Sequence, residues 1–241
     1  MKQFFLILSF ALLLGQCRDT ATQEGDRLQL AQEEKLEFLQ QLLQERGIKP
    51  MELQLFLRAF KREQELEVWG KNASDTSHQL LLTYSFCKNS GQLGPKRREG
   101  DLQIPEGFYR VDRFNARSKF HLSLGLNYPN ASDQKRSDPQ RPGSDIFIHG
   151  GCASVGCISI TDDKIKELYV LADLVHRYDQ LPIQVHIFPT HLQPAQLDDL
   201  AVQFPEHVSF WQELQKGYLH FEKYKSIPEV GLRPDGAYLI K

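Results

Sequence analysis

The chain has 241 residues, 41% hydrophobic and 25% charged, with a formal net charge of −2. This is the composition of a globular protein of one domain, or of one domain with an extension. The balanced charge excludes a nucleic-acid partner held by bulk electrostatics, and equally an acidic membrane surface.

At the N-terminus, Lys2 precedes an apolar run from Phe4 to Leu14 broken only by Ser9. The run is too short to span a bilayer and has the form of a secretory signal over residues 1–17. Cys17 follows at once, as in a bacterial lipoprotein, although Gln16 departs from the small residue usual before such a cysteine. Cys17 is therefore a candidate lipidation site, or is discarded with the signal. The expected location is the periplasm or cell envelope, with membrane attachment only through that lipid.

Residues 18–51 form an N-terminal segment with Leu36, Leu39, Leu42 and Leu43 at helical spacing, closed by Gly47 and Pro50. It reads as a helix or tether before the main domain. Residues 65–72 and 78–86 flank a polar turn and read as a hairpin. The stretch 88–101 is turn-rich loop. Residues 107–114 and 119–126 read as two more strands, and 127–145 as a long polar loop. From Lys96 to Lys119 seven Lys or Arg face four acids, a local basic bias that suits a carboxylate-bearing ligand or simply a solvated surface. A short buried strand ends at His149. Thr161 can cap a helix whose first turn holds Asp162 and Asp163 and whose apolar face is Ile165, Leu168, Tyr169, Ala172 and Val175. Residues 182–189 alternate Ile183, Val185 and Ile187 against Gln184, His186 and Phe188, as a strand does. One more helix is expected over 205–224, with Trp211, Leu214, Tyr218 and Phe221 on one side. The fold class is α+β, mainly β, with a domain over 52–225 and a tail over 226–241.

The stretch "IFIHGGCASVGCISI" (residues 146–160) concentrates the chemistry. A thiol attacks as thiolate, and an imidazole held nearby takes the proton. His149 ends a buried strand, and Gly150 and Gly151 let the chain turn there. Gly156 lets backbone amides approach a reacting carbonyl, as an oxyanion hole requires. Cys157 lies shortly before the capped helix, whose dipole favours an anion. Cys152 is the competing nucleophile, with less around it. Ser154 either donates to the site or satisfies local backbone. Two other readings stay open. His149, Cys152 and Cys157 are zinc-ligand types, but only three in number, and a strand also buries cysteine as a small hydrophobe.

These residues resemble the signature of the L,D-transpeptidase (YkuD-type) catalytic domain family, in its YafK-like branch. "IFIHGG" and "SVGC" are similar to its His-Gly and Ser-x-Gly-Cys elements. "SGQLGPKRREGD", "IPEGFYRV", "FHLSLGLNYPN", "SITDDKIKELYVLAD" and "IQVHIFP" extend the likeness over about residues 52–190. Val155 stands where many members have histidine, and the His-Gly lies closer to the cysteine than in most. The resemblance implies Cys157 as nucleophile and His149 as proton donor and acceptor. It implies an acyl-enzyme formed at the L-centre of diaminopimelate in a peptidoglycan stem peptide, resolved by a second amine or, in a hydrolase or amidase, by water. It implies no metal or organic cofactor. The expected partners are stem peptides and, in some members of the branch, a wall-linked protein. Lys96, Arg97 and Arg98 are candidates for binding substrate carboxylates. An inactive wall-binding module is the rival from another class. The export signal and the odd number of cysteines left after Cys17 make Cys87 and Cys152 the expected disulfide, with Cys157 free.

Overall fold

A computed structural model describes residues 25–241 of the chain. The expected signal at 1–17, Cys17 and the start of the N-terminal segment lie outside the described residues. The first element is a helix, α1 (Gly25–Glu45), and it is not a tether. Leu39 and Leu43 are fully buried, and Ala31, Leu42 and Ile48 share their core with the sheet. Burying one such leucine contributes roughly 2 kcal/mol, so the helix belongs to the domain that it precedes.

The strands that follow are β1 (Leu53–Phe60), β2 (Glu65–Asn72), β3 (Gln79–Ser85), β4 (Gly107–Asn115) and β5 (Ser123–Leu126). A short helix, α2 (Ala131–Arg136), comes next, then β6 (Phe147–His149) and β7 (Ile158–Ser159). Helix α3 (Asp162–Arg177), strand β8 (Gln184–Phe188), helices α4 (Pro194–Gln203) and α5 (Val208–Tyr224), and strands β9 (Val230–Leu232) and β10 (Tyr238–Ile240) complete the chain. One mixed sheet runs β3-β2-β1-β8-β4-β5-β6-β7. Its β1–β8 and β6–β7 pairs are parallel. The hairpin expected over 65–86 is β2–β3, antiparallel with a register shift at Val68/Trp69.

Several elements depart from the sequence reading. β1, next to the centre of the sheet, is buried on both faces almost throughout. Such a strand has no alternation to announce it. His186 and Phe188 of β8, expected opposite the apolar face, are buried as well. A second core covers that side of the sheet: Phe60, Phe108, Phe188, Trp211, Leu214 and Tyr218 pack between the strands and α5. The segment set aside as a tail contributes Tyr238 to this core through the β9–β10 hairpin. The polar loop 127–145 contains α2, whose N-cap Asn130 accepts from Ser132 and Asp133 amides in a capping box. Helix α4 has no counterpart in the expected elements.

The β6–β7 pair places the candidate residues. Ile148 pairs with Ile158 and His149 with Ser159, in parallel. The chain leaving β6 at His149 must therefore run back along β6 before it can start β7. That return brings Cys157 level with Phe147, beside the strand that carries His149.

Candidate active site

His149 is 2% exposed. Its Nδ1 lies 2.6 Å from the Gly150 carbonyl oxygen. A carbonyl only accepts, so Nδ1 carries the proton and Nε2 keeps its lone pair. Phe120 stacks on the ring, with centroids 4.6 Å apart and planes at 28°. Cys157 is half-buried, and it is the free cysteine among the described residues. Its Sγ is 3.7 Å from the Asp145 carbonyl oxygen. His149 and Cys157 line one cavity of about 290 Å³, walled by Phe120, Phe147 and Val155. A second cavity of about 420 Å³ meets the first at Asp145, Val155 and Cys157. The thiol thus lies where two arms of a groove join.

The protonation states differ from the thiolate pairing expected from sequence. Burial pushes the Cys157 thiol above its ordinary range, against a smaller opposing pull from the Phe147 backbone. Burial also pushes His149 below the usual imidazole value. A neutral imidazole brings no charge to hold a thiolate. At neutral pH the site contains a thiol and a neutral base. It can carry out attack with proton transfer to Nε2, rather than attack by a preformed anion.

The turn between the two residues is held from outside. Cys152 forms a disulfide with Cys87, with Cα atoms 5.3 Å apart. As a disulfide sulfur, Cys152 is neither a free nucleophile nor a thiolate metal ligand. No three His, Cys, Asp or Glu side chains among the described residues stand together as a metal site. Gly151 has φ +69°, and its amide donates to Asp162 Oδ1 at 2.7 Å. A Cβ on Gly150 would fall 2.6 Å from that same oxygen and 2.9 Å from the Phe120 carbonyl. The carboxylate in the first turn of α3 is therefore committed to the turn, and β7 separates Cys157 from the helix start.

Ser154 Oγ donates to the Cys157 carbonyl at 2.7 Å. With its proton so used, its 3.0 Å contact with Ser90 Oγ is donated by Ser90. Ser90 in turn accepts from Gly156 N at 2.8 Å. Gly156 is at φ +124°. With its amide committed to Ser90, it serves the site by its backbone shape and not as a free oxyanion donor. Ser154 holds the main chain at Cys157.

The basic loop does not present three free cations. Lys96, 4% exposed, pairs with Asp101 at 2.6 Å. Arg97 lies 3.8 Å from Asp133 and over the Phe210 ring. Arg98 is exposed. Sequence reasoning missed Ser90, Phe120, Asp145 and Arg27. Ser90 stood in a stretch read only as turn. Arg27 Nη1 donates to the carbonyls of Ser118 and His121 at 2.6 and 2.9 Å, across more than ninety residues of chain. No local pattern could point to that contact.

Residues 63–185 match the family described as YkuD, the L,D-transpeptidase catalytic domain. The chain is 32% identical over 188 residues to a protein of Escherichia coli (strain K12) named "Putative L,D-transpeptidase YafK". The alignment covers 77% of this chain and 73% of that one. Among solved structures, the helical cell shape determining protein Pgp2 from Campylobacter jejuni aligns with 15% identity and a TM-score of 0.46, covering 80% of this chain and 79% of that chain. Bd1075 of Bdellovibrio bacteriovorus aligns with 20% identity and a TM-score of 0.41, covering 75% and 64%. By the family match and the extent of the curated relative's identity, the chain belongs to the L,D-transpeptidase catalytic domain family.

Proposed function

We propose that the protein is an exported, peptidoglycan-modifying L,D-transpeptidase in which Cys157 is the nucleophile and His149 the proton carrier. The observation that carries this reading is the shared cavity: a free thiol and an imidazole with its Nδ1 proton fixed both line it. The thiol sulfur attacks the carbonyl at the L-centre of diaminopimelate in a stem peptide, and its proton passes to His149 Nε2. The C–N bond breaks, and the leaving amine takes that proton. An incoming amine then attacks the thioester. His149 removes the amine's proton and returns it to sulfur as the C–S bond breaks. Water in place of the amine makes the same site a hydrolase, able to release a peptide or a wall-linked protein.

Export is supported by the residue pattern at 1–17 and by the Cys87–Cys152 disulfide, a bond that persists in oxidising compartments. Membrane attachment through Cys17 belongs to the same reading.

The test is product analysis by mass after incubating the mature protein with tetrapeptide muropeptides and with protein-linked peptidoglycan. A transpeptidase yields dimers joined between diaminopimelates, or exchanges the terminal D-residue. A hydrolase yields tripeptide or free protein with no new bond. Either route gives a covalent adduct on Cys157, and Cys157→Ala abolishes all products. Unchanged products from Cys157→Ala would remove the assignment, and an absence of products from the wild type would favour a wall-binding module.

A further inference from the structure

We propose that Lys61, paired with Glu106, is a positioning residue for peptide binding: it closes the base of the 94–104 loop and so fixes the wall of the groove arm that His149 does not line. This rests on the reading of Cys157 as the reacting thiol given above.

The pair sits at fixed points of the sheet. Lys61 follows the last residue of β1, and its amide donates to the Phe188 carbonyl at the end of β8 at 3.0 Å. Glu106 directly precedes β4. Both side chains are buried, at 1% and 0% exposure. Lys61 Nζ lies 2.9 Å from Glu106 Oε1, 2.7 Å from the Gly94 carbonyl oxygen and 3.0 Å from that of Ile104. These acceptors use all three N–H groups of an ammonium. Glu106 Oε1 also accepts from the Gly94 amide at 2.8 Å, and Oε2 accepts from Trp211 Nε1 of α5 at 2.6 Å. One buried ion pair therefore grips both ends of the loop.

The second arm of the groove is built on that base. Lys96, Glu99, Gly100 and Leu102 line it together with Cys157. The loop is organised internally around Asp101, which pairs with Lys96 and accepts from the amides of Arg97, Arg98 and Gln103. Two further bonds, from the Glu99 amide to the Arg141 carbonyl and from the Asp138 amide to the Arg97 carbonyl, tie loop to loop. The clamp ties the loop to the central strands. It also reaches toward the turn that carries Cys157: a Cβ on Gly156 would fall 3.0 Å from the carbonyl oxygen of Gln103, the residue before Ile104. A peptide whose carbonyl reaches Cys157 extends along the groove, so the placing of this loop enters its binding. The turn itself has separate supports in the Cys87–Cys152 bond and in Ser90 and Ser154. A buried ion pair is a poor choice for stability alone, since apolar side chains of like volume serve that purpose as well or better. Its directed bonds set where the loop begins and ends.

The experiment compares wild type with Lys61→Met, which leaves the Glu106 carboxylate buried without its cation, and with Lys61→Met/Glu106→Gln, which removes both charges and keeps an amide oxygen facing the Gly94 and Trp211 donors. Tm is expected to fall in the single variant and to recover largely in the double. KM for a stem tetrapeptide is expected to rise about tenfold in both, with kcat within about threefold of wild type, the signature of lost binding rather than lost chemistry. Alkylation of Cys157 by iodoacetamide, a reagent too small to need the arm, should keep its wild-type rate. Hydrogen exchange should quicken at residues 95–103. A KM that returns to wild type along with Tm in the double variant overturns the proposal, as does a fall in kcat with KM unaltered, or an alkylation rate that falls in parallel. If wild type turns over no peptide, the function proposed above fails, and exchange decides the clamp by itself. Faster exchange at 95–103 in the double variant then supports it, and wild-type exchange there overturns it.

Discussion

Phe120 lies face to face on His149, and the loop that carries it is fastened to the N-terminal helix. Ring centroids are 4.6 Å apart. Arg27 of α1 donates to the carbonyls on either side of Phe120, those of Ser118 and His121. His121 sits at φ +70°, a costly backbone conformation for a non-glycine residue that needs such support. The helix that precedes the matched family region thus sets one wall of the candidate site.

Arg27→Ala is therefore expected to lower kcat by roughly three- to tenfold, the consequence of a loosened wall rather than of lost chemistry. Hydrogen exchange should quicken at residues 118–121 while the sheet stays protected. Arg27→Lys should recover little, because one ammonium does not reproduce the guanidinium's planar fork. Unchanged exchange in that loop would show that the contact does not hold it.

Ser90 is expected to be a positioning residue. Without its hydroxyl the Gly156 amide keeps only Ser154 Oγ, at 3.3 Å, and Ser154 loses its donor. Ser90→Ala should cost about 1–2 kcal/mol of local order, read as roughly a tenfold fall in kcat with KM little altered. Ser90→Thr should restore most of it. Ser90→Ala and Ser154→Ala should combine less than additively, since both break one network. Additive losses in the double variant would mean that the two hydroxyls act separately.

The disulfide closes a loop of 65 residues in sequence separation. The chain-entropy relation gives about 4 kcal/mol for a loop of that length. Replacing Cys87 and Cys152 together by Ser should lower Tm by several degrees and leave Cys157 able to form its adduct. Thiol counting under denaturing, non-reducing conditions should find one free cysteine in the mature chain if Cys17 is absent or lipidated. Loss of the adduct in the double variant at temperatures where it is folded would show that the bond shapes the reacting turn directly.

The pH dependence follows from burial. His149 is held below the usual imidazole value and Cys157 above the usual thiol value, so kcat/KM should stay on a plateau across neutral pH. It should fall on the acid side only below about 6.5, when the base protonates. His149→Ala should remove that acid limb along with most of the activity. Stability should show a related acid sensitivity. His78 is brought down to about 4 by burial, and fully buried His186 moves the same way. Between the unfolded value near 6.5 and these lowered values the unfolded chain binds more protons than the native one. Stability is then complete above about 6.5 and declines as pH falls, by up to about 1.4 kcal/mol per pH unit for each such histidine. Asp133, raised to about 6 by burial, works in the opposite sense over part of that range and reduces the slope. A Tm that does not fall between pH 6.5 and 4.5, or a slope unaltered by His186→Phe, would contradict this account.

Sequence alone determined the elements whose signals are local. The α3 cap and apolar face, the β2–β3 hairpin and the strand ending at His149 follow from periodicity and turn residues. The three glycines around two cysteines marked the turn that carries the candidate nucleophile, because a backbone at φ +69° and +124° and a glycine whose Cβ would meet Asp162 admit no other residue easily. Tertiary structure decided the rest. Strand β1 and the inward face of β8 needed α5 and the β9–β10 hairpin to bury them, and a strand covered on both sides carries no alternation. The charge of the thiol–imidazole pair depends on burial, which is a property of the assembled cavity. Lys96 reads as a free cation in the sequence and is paired with Asp101 at 2.6 Å in the fold. Ser90 and Arg27 reach residues 66 and 94 positions away, and contacts at such separations exist only once the sheet has brought the segments together.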